Sequence, residues 1–241
     1  MRVRTLASLI TLSLALAAGP ALAQQDIDKV FGGITAQAGK EYGSLESVNG
    51  GITVREGARV RSAETVNGGI TVEAQARVGS AETVNGGITL GEGARAESVE
   101  TVNGGVRLAR GAFVEDRVEA VNGPIKAAEQ AEVGGDVGNV NGAITLAGAR
   151  VRGDVTTTHG DIVLSGGARI DGGILVEKPT GGWWKSESKR VPRVVIGADS
   201  VVGGSLVFEH EVELFVHPSA KIGPVTGATA QAFTDTLPDR D

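Results

Sequence analysis

The chain has 241 residues, a formal net charge of −6, 37 glycines and no cysteine, and only 3% of its residues are aromatic. The absence of cysteine excludes disulfide bonds, and an acidic chain is a poor candidate for nucleic acid, because that binding needs clustered Lys and Arg. We expect a single folded domain, since its repeats follow one another without a linker.

Residues 1–23 have the three parts of a secretory signal peptide. Arg2 and Arg4 give a basic start, residues 6–18 form an apolar run too short to span a membrane comfortably, and residues 21–23 (ALA) form a small-residue cleavage site. Cleavage after this site removes two arginines and no acids, so the net charge changes from −6 to −8. No cysteine follows to carry a lipid anchor. The sequence therefore predicts a periplasmic or otherwise exported protein.

A nine-residue motif, clearest as ETVNGGITV, recurs along the chain that follows. The period is 18 residues, and it stretches to 19 in the copies that begin at Glu100 and Glu119. A fixed period in this range indicates a solenoid, because each repeat can bury its apolar face only against its neighbours. The copies occupy residues 28–36, 46–54, 64–72, 82–90, 100–108, 119–127, 138–146 and 156–164.

Residues 46–63 show what one coil contains. Ile52 and Val54 are two positions apart, which is the period of a strand, and the glycines would interrupt a helix. Asn49-Gly50 is a strong turn signal, because both residues tolerate positive φ. Three short strands and three corners in each coil predict an all-β fold, a single-stranded parallel β-helix of about ten coils with 18–19 residues each.

Equivalent residues of successive coils should stack into columns about 4.8 Å apart. We expect three apolar columns to form the core: Val48, Val66, Val84, Val102, Val121 and Val140; Ile52, Ile70, Ile88, Val106, Ile125, Ile144 and Ile162; and Ala63, Ala81, Val99, Val118, Val137, Val155 and Ile174. The valines at 48, 54, 60 and 66 keep the six-residue spacing of a left-handed β-helix. A right-handed coil is nevertheless favoured, because the 19-residue coils break that spacing and Ala63 falls one place early.

Residues 177–193 (EKPTGGWWKSESKRVPR) lack any alternation and predict a loop inserted at a corner. Its tryptophans and basic residues suit a membrane interface, a stacked sugar or a partner pocket. The alternative is that the loop folds back on the side of the rod. The residues of this candidate binding loop are Trp183, Trp184, Lys185, Lys189 and Arg190. The β-helix domain is expected to cover residues 24–223, and residues 224–241 to be a flexible tail.

The C-terminal half resembles the bactofilins, the polymer-forming bacterial cytoskeletal proteins. The resemblance lies in residues 133–137 (VGGDV), 151–155 (VRGDV) and 194–206 (VVIGADSVVGGSL), and it covers roughly residues 130–225. It implies a right-handed β-helix without an enzymatic site that assembles end to end. The export signal, the Asn-Gly repeats and the Trp-Trp loop depart from the bactofilin pattern.

Three polar columns should face outward. The asparagine column (Asn49, Asn67, Asn85, Asn103, Asn122 and Asn141) is expected to form a structural ladder of amide hydrogen bonds, with glycan recognition as the alternative. The glutamates (Glu46, Glu64, Glu82, Glu100 and Glu119) should repel one another unless divalent cations, or arginines and solvent, offset their charge. The arginines (Arg59, Arg77, Arg95, Arg150 and Arg169) form a solvated face or a groove for an anionic glycan.

No catalytic, cofactor or metal site is predicted. The histidines, His159, His210 and His217, lack the constellation of partners that an enzyme site needs. The groove of clustered Asp, Lys and Arg typical of polysaccharide-acting β-helices is also missing, and coils this short leave little loop with which to build one.

We therefore expect a non-catalytic structural protein of the bacterial cell envelope that assembles with copies of itself. The two ends of the rod are the expected contacts, through Phe31 at one end and Phe208 and Phe215 at the other. The alternative is an envelope binding module that engages cell-wall glycan, lipid or the membrane surface through the Trp183-Trp184 loop.

Overall fold

A computed structural model describes residues 25–179 and 191–234, and in these ranges all regular structure is β-strand. Parallel strands stack into a β-solenoid of about eleven turns, which confirms the predicted parallel β-helix. Within the described ranges no helix is long and apolar enough to cross a membrane. The right-handed sense of the coil stays a prediction.

The strands are short, and most coils contribute two or three. In the first half they are β1 (Gln25–Phe31), β2 (Ile34–Ala36), β3 (Glu41–Asn49), β4 (Ile52–Val54), β5 (Arg59–Asn67), β6 (Ile70–Val72), β7 (Arg77–Asn85), β8 (Ile88–Leu90), β9 (Arg95–Asn103), β10 (Val106–Leu108), β11 (Phe113–Val114) and β12 (Val118–Asn122). In the second half they are β13 (Ile125–Ala127), β14 (Glu132–Val133), β15 (Val137–Asn141), β16 (Ile144–Ala147), β17 (Arg150–Val151), β18 (Val155–Thr157), β19 (Ile162–Ser165), β20 (Arg169–Ile170), β21 (Ile174–Val176), β22 (Arg193–Ile196), β23 (Val201–Val202), β24 (Leu206–Phe208), β25 (Glu213–Val216), β26 (Val225–Thr226) and β27 (Ala230–Ala232).

The strands form two parallel sheets that run the length of the rod. The first sheet has 16 strands, and the second has the 11 strands that follow the glycine corner of each coil, β2 to β27. Each strand pairs with its equivalent in the next coil, so that Ile52 lies beside Ile70 and Ile70 beside Ile88. This register places identical residues one above another, as the 18-residue period predicts.

The core is a narrow column of small and branched aliphatic side chains. The predicted columns that start at Ile52 and Ala63 are buried along their length. A further buried column starts at Ala58 and continues through Ala76, Ala94, Ala112 and Ala131. Alanine and valine fill most of this space, which is why the chain carries so few aromatic residues.

The extra residue of the first 19-residue coil enlarges one corner. In lower coils this corner is a two-residue bend inside a continuous strand, such as Glu97-Ser98 in β9. In the next coil three residues, 115–117, occupy the corner and separate β11 from β12. From here to the C-terminus, the first two sides of each coil are separate strands.

The C-terminal end of the β-helix differs from expectation. At the N-terminal end β1 begins at Gln25, inside the predicted domain, and pairs with β3. Part of the predicted flexible tail belongs to the fold, because β26 pairs with β24 and β27 pairs with β25. The interruption at residues 177–193 leaves the frame intact, since Val194 follows Ile162 in the same column.

Candidate functional site

The outward surface of the first sheet carries three adjacent side-chain ladders over coils of nearly identical sequence. In each coil the Glu and Val side chains of the motif point outward, and the residue between them points into the core. The Asn side chain ends the strand at the glycine corner. We call this surface the ladder face; it consists of the Glu ladder, the Val ladder from Val30 to Val140, and the Asn ladder from Asn49 to Asn141.

The Val ladder is where the predicted core was wrong. Val48 is 37% exposed, and the valines above it (Val66, Val84, Val102, Val121 and Val140) are partly exposed. The neighbouring Thr65 points inward instead, and its hydroxyl donates a hydrogen bond of 2.8 Å to the carbonyl of Gly50. Thr83 and Thr101 repeat this contact one and two coils later. The corner carbonyl thus satisfies a polar side chain in the core.

The Asn ladder is a continuous chain of side-chain hydrogen bonds. Each Nδ2 donates to the Oδ1 of the asparagine in the coil below, at 3.0 Å in all five steps from Asn67 to Asn141. At the bottom Phe31 takes the next position, and Asn49 Nδ2 reaches the carbonyl of Val30 at 3.4 Å. Amides bonded in this way are already partnered along the rod, which favours the structural role over glycan recognition.

The Glu ladder gathers acids at close spacing. Asp28 extends it by one coil at the N-terminal end, beside Glu46. Burial, with the neighbouring carboxylates of Glu100 and Glu64, raises the pKa of Glu82. Burial and Asp28 likewise raise the pKa of Glu46. Like charges stacked one coil apart thus leave part of the predicted repulsion uncompensated.

Arg117 relieves this repulsion at the upper end of the ladder. Its guanidinium lies 2.6 Å from Glu100 and 3.5 Å from Glu119, and it also contacts Asp116 at 3.1 Å. The repeating pattern does not predict this arginine, because it lies in the enlarged corner, outside the pattern. In the described ranges no three His, Cys, Asp or Glu side chains are grouped so that they could hold a metal ion.

A shallow cleft opens at the N-terminal end of the ladder face, with a volume of about 140 Å³. Its walls come from three successive coils and combine acidic and apolar side chains. The nine residues that line the cleft are Asp28, Lys29, Val30, Glu46, Ser47, Val48, Glu64, Thr65 and Val66. The cleft thus lies between the Glu and Val ladders, close to the free edge of β1.

The predicted arginine column is not a uniform basic groove, because Phe113 and Glu132 lie between Arg95 and Arg150 and three of its arginines contact acids. Arg59 lies 3.2 Å from Glu41, and Arg150 and Arg169 both contact Asp171. Hydrogen bonds from these two arginines hold the pKa of Asp171 below its usual range. Such exposed pairs contribute little to stability, but they reduce the positive potential available to an anionic glycan.

The three histidines have separate partners. His210 Nε2 lies 2.9 Å from the carbonyl oxygen of Thr158, and His217 Nδ1 lies 2.9 Å from the hydroxyl of Ser219. His159 stands in the coil above Asn141, where its backbone N–H donates to Val140. The candidate binding loop (Trp183, Trp184, Lys185, Lys189 and Arg190) lies outside the described residues.

The predicted assembly residues are placed differently at the two ends. Phe31 is 78% exposed and Val30 59% exposed, on the edge strand β1. Phe208 and Phe215 are 4% and 3% exposed: Phe208 belongs to the hydrophobic core, and the Arg193 guanidinium lies over the Phe215 ring, 5.2 Å from its centre. The expectation that these two phenylalanines form an apolar C-terminal contact surface is therefore wrong.

Comparison with protein-family models, with curated proteins and with solved structures finds no match to this chain. The resemblance to bactofilins stays a prediction.

Proposed function

We propose that this chain is a non-catalytic structural protein of the bacterial cell envelope, and that copies of it associate through the N-terminal end of the β-helix. One observation carries the proposal. The edge strand β1 has seven residues, six of them exposed, and no strand covers its outer edge in the described part of the chain. Open edges of this length pair readily with another chain.

The two ends of the rod differ in their capacity to pair. At the C-terminal end the outermost strands of the first sheet, β23 and β26, have two residues each, and β27 of the second sheet has three. Short edges offer few backbone hydrogen bonds to a partner. Among the described residues the large hydrophobic side chains that are exposed are Val30, Phe31 and Val48, and all three lie at the N-terminal end. Contact between two N-terminal ends is therefore favoured over contact between two C-terminal ends.

Sedimentation of the mature chain over micromolar concentrations tests this proposal. The wild type should associate as its concentration rises, and Phe31→Arg should shift it to monomer, because a charge replaces an exposed apolar side chain at the contact. Thr71→Arg is the matched control, since Thr71 is exposed on the second sheet away from the ends and its replacement should leave association unchanged. A wild type that stays strictly monomeric would remove the proposal.

The envelope location rests on the signal peptide of residues 1–23. Mass spectrometry of the protein isolated from its source should find Gln24 at the N-terminus. An intact Met1 on cytosolic protein would contradict export.

A second candidate function, binding at the side of the rod, is favoured by the ladder face. An extended peptide with cationic and apolar side chains on the same face would match its acidic and valine ladders in both charge and polarity. Binding of a fluorescent Lys-Ser-Val-Ser repeat peptide, which places Lys and Val on one face, should weaken with salt and should be lost in the double variant Glu64→Lys, Glu82→Lys. Equal binding by this variant would exclude the ladder face.

A further inference from the structure

The six rungs of the Asn ladder are six copies of one chemically reactive tripeptide. Each ladder asparagine is preceded by valine and followed by glycine. In an Asn-Gly pair the glycine nitrogen can attack the side-chain carbonyl carbon of asparagine, forming a new C–N bond and releasing ammonia. Water then opens the five-membered succinimide to aspartate or isoaspartate. Glycine favours the attack because it has no Cβ to hinder the ring. Since the local sequence is shared, differences in rate between the six sites must come from the folded structure.

Two contacts restrain the lower five sites. The glycine N–H donates to the asparagine carbonyl of the next coil, at distances of 3.0, 3.1, 3.0, 2.9 and 2.8 Å for Gly50, Gly68, Gly86, Gly104 and Gly123. The Oδ1 of each of these asparagines accepts the Nδ2 of the asparagine above. Attack requires the nitrogen to lose its proton and the side chain to rotate toward it, and both contacts oppose those changes.

Asn141 and Gly142 lack both restraints among the described residues. Asn141 is the top of the ladder: its Nδ2 donates downward to Asn122, but no group in the described part of the chain donates a hydrogen bond to its Oδ1. Within the described ranges the Gly142 N–H donates no hydrogen bond to the backbone. The cause is His159 in the coil above, where an asparagine would continue the ladder, together with a local turn in which the Gly160 N–H donates to the Thr157 hydroxyl.

We propose that Asn141 is a site of spontaneous deamidation, and that the ladder protects the five equivalent sites below it. Each hydrogen bond of this kind contributes a factor of roughly five, so the two missing bonds predict a rate at Asn141 roughly 25-fold above that of the interior sites. The reaction should then pass down the ladder. Isoaspartate at 141 lengthens the backbone and displaces the carbonyl that holds Gly123, and the lost Nδ2 no longer bonds Asn122. Asn122 becomes the next labile site.

The chain is suited to a direct measurement, because an Arg or Lys lies between each pair of consecutive ladder asparagines. Trypsin therefore releases every site in a separate peptide. The folded mature protein is incubated at mildly alkaline pH, digested at intervals and analysed by mass spectrometry with fragmentation, which separates Asn141 from Asn139 in the same peptide. Asn141 should be modified first and Asn122 second. In denaturant the six rates should become similar. A folded protein in which Asn141 reacts no faster than Asn85 would overturn the proposal.

Two variants should change the protection of ladder asparagines against deamidation in opposite directions. His159→Asn adds an amide above Asn141 that restores the bond to Oδ1 but leaves the Gly142 N–H as it is, so the rate at Asn141 should fall roughly five-fold. Asn103→Ser removes the donor to Asn85 Oδ1 within the ladder, so Asn85 should react roughly five-fold faster while Asn67 is unchanged. If both variants fold, as judged by thermal melting, and neither changes these rates, the ladder does not control deamidation. If His159→Asn fails to fold, the result with Asn103→Ser decides.

Discussion

Replacing Gly86 by alanine should disrupt the close packing of two successive coils at the glycine corner. A Cβ at this position would lie 2.0 Å from the carbonyl oxygen and 2.5 Å from the carbonyl carbon of Gly68, in the corner of the coil below. The nearer contact is about 1.5 Å inside an ordinary non-bonded distance of ~3.5 Å. Both contacting atoms belong to backbone that is itself hydrogen-bonded, so relief requires displacement of the whole corner. We expect Gly86→Ala to lower the free energy of unfolding by about 3 kcal/mol, the upper part of the range for overpacking.

The adjacent Gly87 provides a matched control. A Cβ there would meet the carbonyl oxygen of Gly105 at 3.1 Å, a tight contact that a shift of a few tenths of an ångström relieves. Gly87→Ala should therefore cost less than about 1 kcal/mol. For a chain of this size the two variants should lower the melting temperature by about 10 °C and by less than about 4 °C, as measured by circular dichroism. Equal losses, or a larger loss for Gly87→Ala, would refute the proposed packing of successive corners.

Ile88→Asp should unfold the middle of the rod, since Ile88 is fully buried and an unpaired charge there costs several kcal/mol. Thr89→Asp, one position on and partly exposed, should change the melting temperature little. Equal effects of the two substitutions would mean that the assigned register is wrong. Phe215→Arg should destabilise the C-terminal coils by about 3–5 kcal/mol in denaturant unfolding, and a variant as stable as wild type would show that this ring is not buried. Burial, followed by the neighbouring carboxylates, raises the pKa of Glu82, so its contribution to stability is greatest below its ordinary titration range and is lost as the pH rises through the raised pKa. At neutral pH, Glu82→Gln should therefore raise the free energy of unfolding by less than about 1 kcal/mol, and with it the melting temperature, and this advantage should be lost in acid. A lower melting temperature of the variant at neutral pH would contradict the sign of this effect.

The period of the sequence predicted the fold, but composition misassigned one face of a strand. Ala63 and Val66 cannot both point inward in a strand whose side chains alternate, because they are three positions apart. Hydrophobicity favours Val66 for the core, yet Thr65 takes the buried position because its hydroxyl donates a hydrogen bond to the Gly50 carbonyl. Counting alternate positions from Ala63 would have identified the inward residue from the sequence.

The candidate site was predictable only where it repeats. The Asn and Glu ladders follow from stacking alone, whereas Arg117 lies in a corner that occurs once the period has changed. The C-terminal coils were harder to predict from the sequence, because strand Ala230–Ala232 is short and exposed, consists mostly of small residues and carries none of the apolar signal of a strand. Those residues nevertheless pair with β25 and extend the second sheet by one strand.

Three successive strand pairs of the first sheet share one register: β3 with β5, β5 with β7, and β7 with β9. The coils at residues 46–63, 64–81 and 82–99 are therefore structurally interchangeable. An in-frame duplication of one repeat in the gene would add a coil whose upper and lower edges both match their new neighbours. The rod would lengthen by about 4.8 Å, and the core and all three ladders would continue through the addition. Loss of a repeat would shorten the rod by the same step. The length of the rod can thus evolve in fixed increments through recombination, without any change in the residues at its two ends.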